Sequence, residues 1–250
     1  MSLQSGSNGN CIYVEAGDVR LLFDAGISGK QASLRLASRG RDICECDALI
    51  LSHEHTDHVS GAGVFQRKFG IPVYCTRPTY LETKKRIGSI DQVRFFESGQ
   101  SLSFGDVQVH TIRTPHDGVD VVCFIIEHEC RQLGIFTDLG HPFPALADAL
   151  GQVDAAYLES NYDPDMLWNG SYTQWAKERI AGSGGHISND EAAELTRNSM
   201  SARLKWLAVA HLSHENNVPE LALDAQRRRV GRTLPVYVAS RYGVGELLEV

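Results

Sequence analysis

Apolar positions along this chain fall into short runs broken by turn residues, with helical spacing only at intervals. Residues 11–16 and 19–24 flank Gly17-Asp18, which predicts a hairpin, and a helical stretch follows at 30–38. The run 47–53 reads as a buried strand, 64–69 as a helix and 72–76 as a further strand. More strands are predicted at 93–96, 102–104, 107–114, 121–128 and 133–137.

In the second half helix and strand alternate. Phe143, Leu146 and Leu150 recur at helical spacing, and 155–158 reads as a strand. Ser188-Asn189-Asp190-Glu191 is a capping box that opens a helix to about Met200. Residues 204–212 form a strand ending in histidine, 220–230 a helix and 235–239 a last strand. Mostly antiparallel strands with interleaved helices predict two sheets with helices packed outside them. No Pro/Gly/Ser-rich linker, low-complexity tract or repeat stands out, so the expectation is one domain over residues 1–250.

At 250 residues and 42% hydrophobic content, the chain can bury a core without disulfide staples. Apolar runs such as 121–126 and 206–210 fall far short of the roughly 18–20 residues of a membrane span. The N-terminal residues lack the basic-then-apolar pattern of a signal peptide. The expected setting is the cytoplasm, with no membrane partner. There the six cysteines, at 11, 44, 46, 75, 123 and 130, are expected as reduced thiols, mostly packing on strands. A net charge of −7 argues against a general nucleic-acid coat. It leaves room for an enzyme that handles nucleic acid through a local patch.

The histidines change the picture. His53-Glu54-His55-Thr56-Asp57-His58 directly follows the apolar strand Ala48-Leu49-Ile50-Leu51-Ser52. Loops at strand ends present side chains into clefts. Neutral imidazole and carboxylate bind zinc-like ions at roughly 2.0–2.2 Å. A six-residue loop cannot easily aim four such groups at one ion, so the spacing invites two. His116, Asp138 and His211 each follow or end an apolar strand, so all can converge on one rim of a sheet sandwich. Taken singly, each suits a structural role equally well. Asp24 also ends a strand, and is expected to orient a ligand rather than bind metal itself.

These motifs resemble the metallo-β-lactamase superfamily over nearly the whole chain, through His53-x-His55-x-Asp57-His58 with Asp24, His116, Asp138 and His211. The resemblance implies an α+β fold, a four-layer αββα sandwich with its site at one edge. It also implies two divalent ions: one on His53, His55 and His116, the other on Asp57, His58 and His211, with Asp138 bridging. Zinc, manganese and iron all suit such donors.

Four segments narrow the resemblance. Gly185-His186-Ile187-Ser188-Asn189-Asp190-Glu191-Ala192-Ala193 is similar to a segment of the Z-type tRNA 3′-processing endonucleases, and Glu159 matches a glutamate that hydrogen-bonds its histidine there. Together with Ser5-Gly6-Ser7-Asn8-Gly9-Asn10, Leu158-Glu159-Ser160-Asn161-Tyr162-Asp163 and His211-Leu212-Ser213-His214-Glu215-Asn216-Asn217, these look like the WalJ (YycJ) family over residues 2 to about 221. That bacterial branch is described as 5′-to-3′ DNA exonucleases, which makes DNA the expected substrate. Two ions can generate a hydroxide and clamp a phosphate for in-line attack. By the resemblance, Asp57 orients that hydroxide, His186 protonates the leaving oxygen, and Glu159 fixes the His186 tautomer. A homodimer is common among related nucleases, although no segment displays an interface.

Plainer readings stand beside these. His186 can be a helix-start histidine beside the capping box, and Glu159 a surface carboxylate. His214 reads as solvated or supporting, His110 and His128 as structural, and His141 as lining the cleft. Arg67-Lys68, Lys84-Lys85-Arg86 and Arg227-Arg228-Arg229 read as solvated helix faces unless they lie near the cleft. Only 21 residues separate His116 from Asp138, too few for the long arm of the tRNA endonucleases. Rival activities are a cyclic-phosphate phosphodiesterase and, less favoured, a lactonase or thioesterase. Thr114-Pro115-His116-Asp117-Gly118 departs from the Gly-His-Thr-x-Gly-His of the latter two. A binding protein without turnover is disfavoured by the intact donor set and by the presence of His186.

Overall fold

The computed structural model describes residues 1–250. Its strands form two sheets, one from each half of the chain. The first contains β1 (Ser2–Gln4), β2 (Cys11–Ala16), β3 (Val19–Phe23), β4 (Ala48–Ile50), β5 (Val73–Thr76) and β6 (Val93–Phe96), in that spatial order. The second contains β7 (Ser101–Phe104), β8 (Val107–Arg113), β9 (Val122–His128), β10 (Arg131–Phe136), β11 (Ala155–Glu159), β12 (Trp206–Ala210) and β13 (Val236–Val238), again neighbour to neighbour. The hairpin at Gly17-Asp18 pairs Ala16 with Val19, and Gly17 takes the left-handed conformation at φ 55°.

Helices cover the outer faces. α1 (Gly29–Ala37), α2 (Thr56–Val59), α3 (Ala62–Phe69) and α4 (Arg77–Ile87) connect strands of the first sheet. α5 (Pro144–Gln152), α6 (Pro164–Asn169), α7 (Gln174–Ile180), α8 (Asn189–Ser199) and α9 (Pro219–Val230) connect strands of the second. Leu21, Phe23 and Ile50 point between the sheets, where they meet Val109, Phe124, Ile135 and Tyr157. Leu22, Leu49 and Val73 face outward against Ala32, Leu36 and Phe65. Across the molecule, Phe136, Ala156 and Leu158 pack on Leu146, Leu150, Ala192 and Leu195. Strands with both faces covered read as continuous apolar runs rather than alternating ones, which is why 47–53 looked buried. The architecture is the expected α+β sandwich of helices, two sheets and helices.

Strand direction departs from expectation. Six pairings are parallel and five antiparallel, where mostly antiparallel strands were expected. Helical connections between β3, β4, β5 and β6, and again between β10, β11, β12 and β13, return the chain to its starting edge. The next strand must then run the same way. This polarity positions the site: β3, β4, β10, β11 and β12 all end along one edge, the usual place for ligands in such sheets.

All six cysteines are free thiols, with Cys11, Cys46, Cys75 and Cys123 buried. No helix is long and apolar enough to cross a membrane.

Candidate metal centre

Three strands leave the sheet through left-handed residues: Asp24 after β3 at φ 62°, Asp138 after β10 at 58° and His211 after β12 at 54°. Asp and His tolerate this conformation better than most side chains, and such strain collects at functional sites. The kinks turn these three side chains toward the loop after β4. There His55 immediately precedes the four-residue α2, which carries Asp57 and His58. Gly26 allows the close approach, since a Cβ there would lie 1.6 Å from the Asp57 carbonyl oxygen.

All seven expected metal donors meet at this edge. His53, His55 and His116 form one group, Asp57, His58 and His211 a second, and His53, His58 and Asp138 a third between them. Most of the Nδ1 atoms are tied outward, while His55 Nδ1 faces His116 Nε2 at 3.3 Å. His58 Nδ1 lies 2.7 Å from Asp24 Oδ2, His116 Nδ1 2.7 Å from the Gly185 carbonyl, and His53 Nδ1 2.9 Å from Ser52 Oγ. Asp24 in turn accepts the Ser52 amide and hydroxyl at 2.8 and 2.9 Å. Outer bonds of this kind fix tautomers and leave Nε2 free for a cation. Asp24 therefore sits where a ligand-orienting group belongs.

Two buried atoms show that the donor set fits a cation. His53 Nε2 and Asp138 Oδ2 have no hydrogen-bond partner, an arrangement that native interiors avoid unless something else satisfies the atoms. The charges agree. Burial and the neighbouring His58 hold the His53 imidazole well below its usual range, and burial lowers His116. Burial opposes the charges of Asp57 and Asp138, yet the surrounding histidines keep both carboxyls well below the usual carboxylate range. For His58 and His211 burial is outweighed by Asp138 and nearby carboxylates, which raise His58 well above normal and His211 to about 10. A divalent cation held by these donors would balance the carboxylates in place of protons on the rings.

Beside this cluster, His186 Nδ1 lies 2.7 Å from Glu159 Oε1. Its ring centroid is 4.9 Å from that of His116 and 5.1 Å from that of His211, so it sits between the two halves of the donor set. Glu159 is fully buried, not a surface carboxylate. Its Oε1 also lies 3.1 Å from His211 Nδ1, and its Oε2 accepts the Leu139 and Ile187 amides at 3.1 and 3.3 Å. Burial would raise the Glu159 carboxyl, but His186 and His211 pull it down to about 2. The capping box is present too, with Ser188 and Glu191 bonded reciprocally. His186 thus stands just ahead of a capped helix and against the cluster at once.

Other residues emerge only in three dimensions. Asn10 Nδ2 reaches His58 Nε2 at 3.0 Å and Asp57 Oδ2 at 3.2 Å. Asn161 Nδ2 donates to the His211 carbonyl at 2.8 Å. Asp117 Oδ1 lies 3.4 Å from His116 Nε2, while its Oδ2 accepts Arg179 Nη2 at 2.5 Å. Asn10 and Asn161 lie in segments already notable for their residue pattern, but spacing alone gives neither a role.

The remaining histidines stay outside the donor groups. His214 is exposed on Glu215, His110 bonds Ser101 across a strand pair, and His128 pairs with Asp106. His141 shares a cleft with His116. Of the basic runs, Arg86 donates to the Glu54 carbonyl and Thr56 hydroxyl at 3.0 Å each, within the metal-motif loop. Arg67 instead binds the Ile87 and Ser89 carbonyls. Arg227 and Arg229 pair with Asp224 and Glu194, near the end of α9 that runs away from the site.

A family model described as the metallo-beta-lactamase superfamily matches residues 5–177. The chain belongs to the metallo-β-lactamase superfamily. Within the superfamily it is 36% identical over 224 residues to the exodeoxyribonuclease WalJ of Streptococcus pneumoniae, covering 88% of this chain and 83% of that protein. It is 34% identical over 250 residues to the exodeoxyribonuclease YycJ of Bacillus anthracis, covering 99% and 92%. Among solved structures, the metallo-beta-lactamase fold protein YhfI of Bacillus subtilis aligns with a TM-score of 0.73 at 18% identity, over 96% of this chain and 94% of that one. Zn(2+)-bound PqqB of Methylobacterium extorquens gives 0.71 at 18%, over 96% and 87%. At such identities these two structures speak for the fold alone.

Proposed function

We propose that the protein is a DNA exonuclease working in the 5′-to-3′ direction, with two divalent ions on the seven-donor cluster. It is a metal-dependent hydrolase of phosphodiester bonds. The observation that carries the reading is the Glu159–His186 pair set against the cluster, with His186 Nδ1 2.7 Å from Glu159 and 3.9 Å from Asp138 Oδ1. The extensive similarity to two exodeoxyribonucleases supports DNA as the substrate.

His53, His55 and His116 would hold one ion, Asp57, His58 and His211 the other, and Asp138 both. When bound, such ions activate water and neutralise charge on the phosphate. The chain's own groups supply the rest. Asn10 holds the Asp57 carboxylate, which orients the attacking oxygen. Glu159 accepts a hydrogen bond from His186 Nδ1–H, and the doubly protonated ring would give its Nε2 proton to the departing sugar oxygen. The same carboxylate holds His211 in register.

The test is a nuclease assay with protein reconstituted with Mn²⁺ or Zn²⁺, using 5′- and 3′-labelled single- and double-stranded DNA and RNA, a small cyclic phosphodiester and a His186→Ala control. Progressive release from a DNA 5′ end, lost in the variant, is expected. Hydrolysis of the cyclic diester alone would replace the exonuclease with a cyclic-phosphate phosphodiesterase.

A further inference from the structure

A second pocket opens on the His211 side of the cluster, at the C-terminal ends of β12 and β13. Its walls include Leu212, Ser213, Asn217, Ser240, Arg241 and Tyr242. None of its 11 lining residues is acidic, although the chain carries a net charge of −7. Arg241 is its cation. Its Nη1 donates to the Leu212 carbonyl at 2.8 Å, and its Nε is buried without a partner. No carboxylate answers this charge. Behind the same loop, Arg35 donates to the Tyr242 and Leu3 carbonyls at 3.0 Å each, a second guanidinium bonded to neutral oxygens there.

Partly buried guanidinium groups usually find a carboxylate, because an unanswered charge is costly to desolvate. An incoming anion satisfies that requirement, and the planar fork suits phosphate in particular. The surrounding hydroxyls are arranged to help. Ser213 Oγ accepts the Asn216 amide at 3.2 Å, and Ser240 Oγ accepts the Tyr242 and Gly243 amides at 3.2 and 3.1 Å. Each hydroxyl therefore keeps its own hydrogen for another acceptor. Tyr242, 68% exposed, stands edge-on to His214 with ring centroids 6.3 Å apart, offering an aromatic surface at the mouth.

The pocket and the donor cluster share a wall. Ser5 donates its amide to the Ser240 carbonyl at 3.0 Å, and its hydroxyl accepts the His211 amide at 2.9 Å. Gly6, at φ 145°, lies against the guanidinium: a Cβ there would sit 2.7 Å from Arg241 Nη1. Four residues later the same loop delivers Asn10 to His58 and Asp57.

We infer that this pocket binds a non-reacting phosphate of the substrate strand, with Arg241 as its principal contact and Ser213 and Ser240 as hydroxyl donors. The inference rests on the nucleic-acid reading above and adds to it a place where the strand is gripped beside the cut.

The test measures binding of a short 3′-fluorescein oligothymidylate, with and without a 5′-phosphate, by anisotropy in the metal-loaded His186→Ala background. Arg241→Gln is expected to weaken binding roughly tenfold or more, with partial recovery in Arg241→Lys. Ser213→Asp keeps an acceptor for the Asn216 amide and places a negative charge in the pocket, so it should weaken binding with an unchanged thermal midpoint. Loss confined to the 5′-phosphorylated strand identifies a terminal phosphate; equal loss on both strands identifies an internal one. Unchanged affinity in both Arg241→Gln and Ser213→Asp overturns the site. If the unmutated pocket binds no strand at all, the DNA reading fails instead. The pocket is then judged on inorganic phosphate by calorimetry: binding that depends on Arg241 retains it, and its absence removes it.

Discussion

Glu159 Oε1 lies 2.7 Å from His186 Nδ1 in a fully buried position, and the same oxygen lies 3.1 Å from His211 Nδ1. One carboxylate oxygen therefore serves both the proposed proton donor and a proposed metal donor. The loss of His186 and the loss of Glu159 should consequently look different.

His186→Ala should slow DNA hydrolysis by about 10²–10⁴-fold, the usual contribution of a positioned acid. A diester with a p-nitrophenolate leaving group needs little protonation, so its hydrolysis should fall by less than about tenfold. Parallel kinetics on the two substrates check this. Equal losses on both would assign His186 to binding or structure rather than to proton transfer.

Glu159→Gln should reduce both DNA hydrolysis and metal affinity, the latter by roughly 10–100-fold, as expected when a ligand loses its outer hydrogen bond. Its pH signature has a definite sign. The carboxyl is lowered in the fold, from 4.5 to about 2, so its charge contributes fully above 4.5. That contribution is lost as pH falls from 4.5 through about 2. The stability gap between wild type and variant, measured by urea unfolding of the metal-free proteins, should narrow across that window. A gap that widened on acidification would refute the assignment.

Chelation should remove two ions per chain by elemental analysis and lower the thermal midpoint. A ligand at a hundred times its dissociation constant adds about 2.7 kcal/mol, which for a chain of this size corresponds to roughly 5–10 °C. A midpoint unmoved by chelator, with no metal in the untreated protein, would remove the metal centre from the mechanism.

Thiol labelling offers an independent check on the fold. Cys44 and Cys130 are exposed, with local desolvation and Asp42 raising the Cys44 thiol above its usual range, whereas burial pushes Cys46, Cys75 and Cys123 up to about 12 and Cys11 higher than its usual range. Two thiols should react quickly with a disulfide reagent in the native state, and six after unfolding. Fast labelling of more than two would contradict the packing of the outer layers.

The sequence was most legible where chemistry is local. The run from His53 to His58 announces donors by residue type, and the capping box at Ser188 fixes the start of α8 to the residue. Strand direction was misread: apolar periodicity is blind to polarity, but the helices expected between the strands at 155–158, 204–212 and 235–239 already called for parallel neighbours. Short or weakly patterned elements escaped as well. β1 is Ser-Leu-Gln, and α6 and α7 each bury a single residue, Leu167 and Lys177, so neither shows an apolar stripe. Asn10 reaches residues 47 and 48 positions away, and Glu159 reaches His211 across 52. Each partnership exists only once the sheet that carries both partners has formed.

The donor cluster draws on residues from 53 to 211, and its walls extend from Ser5 to Arg241. As the chain is made in order, His53 to His58 emerge with the first sheet, while His211 arrives only when the second is nearly finished. A chain that stops short of His211 thus has six of the seven donors, an incomplete second group and no complete place to cut. For a proposed nuclease this means that destructive capacity appears late and all at once, when folding is nearly complete.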